Sequence, residues 1–225
     1  MRFKWHLRAS LSEGVCSYVI PTISFAEATE NSTAFTGYSV GIGFGSNGQY
    51  INTIYNNDIT ATRTTATLGM TGLSEHLYAN YNFALNSMWL IGINLNGQYN
   101  SVSELEHTSV ATHRDALIQS QYGANTELGI TPFAHNLFYV FVGPSWAQIK
   151  INYLRSSVNY AFSSSKKIGI TAGMGASQNI HPHVNITEQF SYAGYKTQND
   201  TLTDLGTFLT EPSDTTVMLG IEYHF

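Results

Sequence analysis

The chain has 225 residues, of which only 11% are Asp, Glu, Lys or Arg, whereas Gly (19), Tyr (14) and Phe (12) are abundant. Ordinary soluble domains carry roughly 25% charged residues, so charge is not what keeps this surface in its solvent. The formal net charge is −5, and the Lys and Arg residues are scattered, which excludes a basic face for nucleic acid.

Residues 1–26 have the pattern of a secretory signal peptide. Three basic residues open the chain, namely Arg2, Lys4 and Arg8. A mostly apolar stretch follows, and Ser24 and Ala26 form a small-x-small site, so we expect cleavage after Ala26 and a mature domain of residues 27–225. Cleavage removes Cys16, the only cysteine. The exported domain would therefore have no disulfide and would depend on its sheet and packing.

Alternation of apolar and polar residues predicts β-strands through the rest of the chain. The first four alternating stretches are residues 38–45, 77–85, 89–98 and 118–130. In the fourth, the pattern places Ile118 and Tyr122 on one face and Gln121 and Glu127 on the other.

Four more alternating stretches complete the chain. They are residues 137–151, 168–176, 184–195 and 217–225. Both faces of the first are apolar, and its phase is lost around Gly143 and Pro144, where we expect a bulge or bend. No segment after the signal peptide has 18 continuous apolar residues, which excludes a membrane-spanning helix.

The connections alternate in length. Short turns are expected at 86–87, 132–136 and 181–183, and long polar links at 46–70, 101–115, 152–166 and 196–214. Strands of about ten residues with short turns at one end and long loops at the other are typical of membrane barrels. The predicted fold is all-β, an eight-stranded antiparallel transmembrane up-and-down β-barrel with short periplasmic turns and long extracellular loops.

Alternation alone does not separate a membrane barrel from a soluble lipocalin-like barrel, but charge does. A soluble barrel covers its polar face with Lys and Glu. Here five charged residues fall in or beside the predicted strands, namely Glu75, Glu127, Lys150, Glu188 and Glu222. The other polar residues are mainly Asn, Gln, Ser and Thr, which suit the interior of a narrow barrel. The apolar face is therefore predicted to lie outside, against lipid.

This assignment predicts the direction of individual side chains. Those expected to point outward are Tyr81, Ile93, Tyr122, Ile170 and Ile221. Those expected to point inward are Asn82, Asn94, Gln121, Thr171 and Glu222. Glu188 is the exception, because it shares its phase with Ile186 and Phe190 and would face lipid unless a bulge turns it inward.

Several segments resemble the opacity-type, OmpA-like eight-stranded outer-membrane barrels of Gram-negative bacteria, a porin-like class. They are residues 37–45 (GYSVGIGFG), 77–83 (LYANYNF), 89–95 (WLIGINL) and 218–225 (MLGIEYHF). The resemblance implies a place in the bacterial outer membrane, among its lipid and lipopolysaccharide, after handling by periplasmic chaperones. It also implies a C-terminal signal for the barrel-assembly machinery, matched by Gly220, Tyr223 and Phe225. Met218 departs from it, since that position is usually polar.

Few residues suggest chemistry. His107 and Ser109 stand two apart, as in a barrel deacylase, but they fall in a predicted loop without an orienting third group. His181 and His183 flank a proline in a predicted turn, and two ligands make at best a partial metal site. His224 shares the predicted inner face of the last strand with Glu222, where polar packing is expected. We therefore expect no catalytic residue, no cofactor and no metal site.

Eight strands leave an interior that side chains just fill, so a wide channel is not expected. An interior ion-pair plug is not expected either, because Lys150 lies towards the loop end and Glu127 and Glu222 towards the turn end. Binding functions of barrels usually lie on loops. We expect a non-enzymatic barrel with an envelope-structural or adhesin-like surface-contact role, towards a host or cell-surface ligand. The alternatives are a lipid A-modifying enzyme and a soluble lipocalin-like binder.

Overall fold

The computed structural model describes residues 33–57, 62–103, 112–155, 158–202 and 206–225. They form a 3₁₀ helix, Thr33–Phe35, and nine β-strands: β1 Gly37–Asn57, β2 Thr62–Ala84, β3 Trp89–Ser103, β4 Thr112–Phe133, β5 Asn136–Arg155, β6 Val158–His181, β7 Val184–Tyr195, β8 Gln198–Leu202 and β9 Gly206–His224. Within these ranges no helix is long and apolar enough to cross a membrane. The predicted signal peptide, with Ser24 and Ala26, lies outside the described residues.

From β1 to β7 each strand pairs antiparallel with the next, β7 pairs with β9, and β9 pairs with β1, so the sheet closes on itself. The closing pair places Ser39 opposite His224, and the Phe225 N–H donates a hydrogen bond of 3.0 Å to the Tyr38 carbonyl. The short β8 pairs with the same edge of β9 as β7 does and continues it past the barrel rim. Eight strands therefore make the wall, and the predicted barrel is confirmed.

The strands are longer than the sequence predicted. β1 and β2 stay paired from Gly37 opposite Asn82 to Asn57 opposite Thr62, so the expected long link at 46–70 is mostly strand. The links predicted at 152–166 and 196–214 likewise belong mostly to β5, β6, β8 and β9. Of the link predicted at 101–115, residues 104–111 lie outside the described residues, and the rest belongs to β3 and β4. The pattern missed these extensions because alternation predicts a strand only where one face is apolar and the other polar, and these segments do not alternate in that way. About ten residues span a membrane, so the hairpins continue well beyond it.

Of the bulge or bend expected at Gly143 and Pro144, the bulge is wrong and the bend stays a prediction. The β5–β6 register runs unchanged through both residues, with Gly143 opposite Thr171. The β4–β5 register is also the same on either side of them. Pro144 takes an outward position in the wall, and a proline removes one donor from the ladder without requiring an extra residue.

A bulge occurs instead in β4, between Ile118 and Ser120. It shifts the phase of the strand by one residue, so Ile118 points inward and is 0% exposed. The outward direction predicted for Ile118 is therefore wrong. The sequence carries no Gly or Pro at this point to indicate the extra residue.

The other directions follow the prediction. Ile93, Tyr122, Ile170 and Ile221 are exposed on the outer face, and Asn82, Asn94, Gln121, Thr171 and Glu222 are buried inside. Tyr81 also lies on the outer face, where its ring packs against Tyr38 and Phe83 at centroid distances of 4.2 and 4.4 Å. The β6–β7 and β7–β9 registers run through Glu188 without a shift, so it stays outward.

Aromatic side chains ring the outer face at both levels where the membrane boundaries are expected. At the turn end these are Tyr38, Phe83, Trp89, Tyr223 and Phe225; at the loop end they are Tyr50, Tyr99, Tyr122, Trp146 and Tyr192. Tyr122 and Trp146 stack with centroids 5.8 Å apart. Such girdles flank the apolar band of outer-membrane barrels, and Phe225 ends the chain within the one at the turn end.

Large inward side chains lie over glycines of neighbouring strands. A Cβ on Gly41 would lie 2.3 Å from the Tyr78 ring, and a Cβ on Gly175 would lie 2.4 Å from the Tyr139 ring. Any side chain at either glycine would displace the aromatic ring that fills the lumen. The alternation of glycine with large residues thus decides how full the interior is.

The outward position of Ile93 and the inward position of Asn94 give a matched test of the membrane assignment. Ile93 is 55% exposed and Asn94 is 5% exposed. Ile93→Arg is expected to lower the unfolding free energy by about 2–4 kcal/mol, because it puts a charge in the apolar band. Asn94→Ala removes hydrogen bonds to Asn80 and Asn96 and is expected to cost about 1 kcal/mol. Urea unfolding in lipid vesicles measures both, and equal losses contradict the assignment.

Candidate functional site

Two apolar clusters close the barrel interior. The periplasmic plug consists of Phe35, Leu90, Leu137, Tyr139 and Phe141, with Ala34 against it. The extracellular plug consists of Ile51, Ile118, Ala147, Ile149, Ala193 and Tyr195, with Met70 against it. A layer of buried polar side chains lies between them.

Phe35 completes the periplasmic plug from outside the strands. The 3₁₀ helix Thr33–Phe35 precedes β1 and directs the Phe35 ring into the plug, where it is 2% exposed. The alternating pattern of the sequence does not indicate a role for Phe35. Its only signal is an isolated aromatic residue just ahead of the first alternating stretch.

The extracellular plug is held by a link across the barrel. Gln49 of β1 donates from Nε2 to the Ile118 carbonyl of β4 at 2.8 Å, and the Ile118 N–H donates to Gln49 Oε1 at 2.8 Å. Asn100 Nδ2 also donates to the Ile118 carbonyl, at 3.0 Å. The bulge takes these backbone groups out of the ladder, and Gln49, itself 0% exposed, satisfies them. β1 and β4 are not neighbours in the wall, so the link crosses the lumen.

A buried carboxylate lies next to this link. Asp214 of β9 accepts hydrogen bonds from Asn47 Nδ2, from Gln98 Nε2 at 3.4 Å and from Thr216 Oγ1 at 3.2 Å. Gln98 also donates to Asn100 at 2.6 Å, which connects the carboxylate to the Ile118 bulge. Amides and hydroxyls therefore hold Asp214 in place.

Two more carboxyl groups lie buried nearer the turn end. Glu222 Oε2 accepts from Asn80 Nδ2 at 3.3 Å and from Thr187 Oγ1 at 3.5 Å. Glu127 is buried in the same layer. Lys150, which the sequence placed towards the loop end, is in the outward phase of β5, between inward Ile149 and the end of the strand. It therefore does not supply a cation to the lumen.

The polar layer encloses a cavity of about 20 Å³, bordered by Gln121, Asn125 and Thr171 among others. That volume holds about one water molecule. One oxygen of each of these three side chains has no protein partner and is available to such a water. With a plug at either end and a lumen filled to this degree, the described residues leave no wide aqueous path through the barrel.

Only some of the candidate residues for chemistry are among those that the structure describes. His107 and Ser109 lie outside the described residues. His183 Nδ1 lies 3.0 Å from the His224 carbonyl, and its ring stacks on Tyr223 at 5.8 Å, so this turn is packed against the closing strand. His181 is exposed on the same turn. Across the described ranges no group of three or more potential metal ligands occurs.

The three residues of the predicted assembly signal occupy distinct places in β9 and at its end. Gly220 faces inward, where a Cβ would lie 2.7 Å from the Tyr78 hydroxyl. Tyr223 and Phe225 face outward and pack edge-to-face at 5.1 Å. Met218 is buried inside, with its sulfur 2.7 Å from the Cβ position of Gly43. An apolar residue at 218 thus fills a gap left by a glycine, and the signal itself stays a prediction.

A closed eight-strand wall, an apolar outer belt between aromatic girdles and a filled lumen define a transmembrane β-barrel of the bacterial outer-membrane type. Its fold is similar to that of the outer-membrane protein OprG from Pseudomonas aeruginosa. The TM-score is 0.50 at 10% identity, and the alignment covers 84% of this chain and 98% of the other.

Two other solved structures align over most of both chains. The attachment invasion locus protein Ail of Yersinia pestis has a TM-score of 0.44 at 19% identity, covering 85% of this chain and 100% of that one. Neisserial surface protein A has a TM-score of 0.40 at 12% identity, covering 81% and 97%. No protein-family model matches the sequence, and no curated protein matches it significantly. At these identities the comparisons show the fold alone.

The link between Gln49 and Ile118 can be tested by removing its side chain. Gln49→Ala leaves a buried N–H and weakens the pairing of a buried carbonyl, so the unfolding free energy should fall by about 1–3 kcal/mol. Gln119→Ala is the matched control, because that amide bonds an exposed Tyr99 hydroxyl at 3.3 Å. Hydrogen exchange should also speed up at the Ile118 amide in the first variant. An unchanged exchange rate there would contradict the link.

Proposed function

We propose that this protein is a non-enzymatic surface-contact barrel whose binding surface is built from the strand hairpins that rise above the membrane. The observation that carries the proposal is the extent of these hairpins. Outside the membrane the described residues continue in paired strands, and these strands stand above a closed barrel.

The raised strands form two sheets. In one, β1 pairs with β2 as far as Asn57 and with β9 as far as Asn56, while β8 pairs with the far edge of β9. In the other, β5 pairs with β4 and with β6 as far as Arg155. The β2–β3, β3–β4 and β6–β7 pairings end lower on the barrel, at Ser103, Tyr99 and Tyr195. Two projecting sheets separated by lower stretches of wall make a surface suited to contact with a large partner.

The filled lumen supports the same function. A barrel whose interior is closed by the periplasmic and extracellular plugs has no space there for a substrate or a stream of solute. What such a protein offers to its surroundings is its outer surface. A host or cell-surface molecule is the proposed ligand class, and an envelope-structural role is the alternative that the same geometry allows.

Trimming one raised sheet tests the proposal. In the first variant residues 54–65 are replaced by Asn-Gly, a two-residue hairpin turn, between the paired Thr53 and Ala66. Gln49 and Ile51 stay in place, and the new turn joins two residues that are already paired, so the barrel should still show heat-modifiable gel mobility. Attachment of the expressing bacteria to cultured cells or matrix should be lost.

His107→Ala is the parallel variant for the enzymatic alternative. It leaves both raised sheets intact, so attachment and the mass spectrum of lipid A should both stay as in the parent strain. A change in lipid A mass in the His107→Ala strain would instead support the alternative of a lipid A-modifying enzyme. If attachment survives the trimming, the surface-contact role is contradicted. If in addition the cells become sensitive to detergent only when the whole chain is deleted, the result supports an envelope-structural role.

A further inference from the structure

One carboxylate on the outer wall has no place in the barrel's own packing. Glu188 of β7 is exposed and points outward between Ile186 and Phe190. Its paired neighbours are Ala176 on β6 and Leu219 on β9. Every one of these four neighbours is apolar, and no hydrogen bond or ion pair joins the Glu188 carboxyl to any described residue.

Glu188 lies deep in the apolar band. It is four residues from Val184 at the turn end, which at the usual strand rise and tilt is about 10 Å along the barrel axis. The band itself is about 25 Å tall. Glu75, the other outward carboxylate of the apolar belt, pairs with Tyr99 of the loop-end girdle and so lies near the membrane surface. Glu188 is therefore the carboxylate furthest from water on the outer wall that the structure describes.

A carboxyl group at this depth requires a hydrogen-bonding partner. Lipid tails offer none, and ionisable side chains inside a membrane therefore pair with another group. Gln178, which is exposed on β6 opposite Ile186, is the nearest polar side chain on the same face and lies diagonally from Glu188. These two residues form a polar spot on an otherwise apolar wall.

We propose that Glu188 marks a homodimer interface formed by the outer faces of β6, β7 and β9. Two copies inserted into one membrane have the same orientation and depth, so a two-fold axis along the membrane normal brings a residue near the axis against its own copy. A carboxyl group both donates and accepts when protonated, so two Glu188 side chains can bond each other reciprocally. A second copy is thus the partner certain to present a matching group at the matching depth.

The surroundings of Glu188 fit a close contact. Ala172 and Ala176 are small and lie on the β6 side, which lets the two walls approach. Met174, Phe190 and Leu219 are exposed and supply apolar area around the polar pair. Gln178 lies diagonally from Glu188 in the β6–β7 register, so its amide in either copy can add a hydrogen bond to the paired carboxyl groups.

Cysteine cross-linking in the outer membrane tests the dimer. Ala176→Cys places a thiol beside Glu188, and Ala79→Cys is the matched control, because Ala79 of β2 takes an outward position across the barrel from β6. Both are made with Cys16→Ser. We expect a disulfide-linked band at twice the monomer mass for Ala176→Cys and no such band for Ala79→Cys. Heat-modifiable mobility confirms that each variant is folded, and Leu219→Cys serves as a second probe of the same face.

Changes at Glu188 separate a specific pair from chance collision. In the Ala176→Cys background, Glu188→Gln should keep the cross-link, since two amides also bond reciprocally, whereas Glu188→Leu should remove most of it. Sedimentation in mild detergent should show the same shift from dimer to monomer. Equal cross-linking of the Ala176 and Ala79 variants, or a cross-link that persists unchanged in Glu188→Leu, would overturn the proposal.

Discussion

The structure depends on the pairing of the last strand with the first. In hydrocarbon an unpaired backbone N–H or C=O has no water to bond, so a sheet can cross a membrane only when it has no edges. The β1–β9 ladder, extended to the Phe225 amide, removes both edges. The outward aromatic residue at the chain end, the short turns and the apolar belt all follow from this closure. Loss of this ladder would expose unpaired N–H and C=O groups of both β1 and β9 to hydrocarbon.

Closure in turn determines how the lumen is filled. A wall of eight strands leaves a space that side chains must occupy, and Tyr78, Tyr139 and Met218 occupy it by lying over glycines of adjacent strands. The bulge in β4 takes the N–H and the carbonyl of Ile118 out of the strand pairing and would leave them without partners. Gln49 bonds both groups from across the lumen. The same link holds Ile118 in the extracellular plug, so one interaction both satisfies the bulge and helps to fill the lumen.

The inner and outer faces treat acidic groups differently. Inside, Asp214 and Glu222 are surrounded by amides and hydroxyls that donate to them. Outside, the residues directly beside Glu188 on its own and the neighbouring strands are apolar, and Gln178 is the nearest polar side chain on that face. The first arrangement is complete within one chain, whereas the second is complete only with a partner. The raised sheets at the loop end are a separate surface, so contact with a ligand and contact between copies need not compete.

Strand number, antiparallel order and the lipid-facing side were predictable from the sequence, because a period of two with few charges allows one arrangement in a membrane. The same period placed Ile93, Asn94 and Glu188 on their correct faces. Local pattern could not reveal the bulge at Ile118, because its stability comes from Gln49, which is distant in sequence and lies on the opposite wall. Nor could it reveal the place of Phe35 in the periplasmic plug or the raised hairpins, since these depend on a lumen and on strand partners that exist only once the barrel has closed. Side-chain direction is a property of neighbouring residues along the chain, whereas the filling of the lumen is a property of strands that meet only in three dimensions.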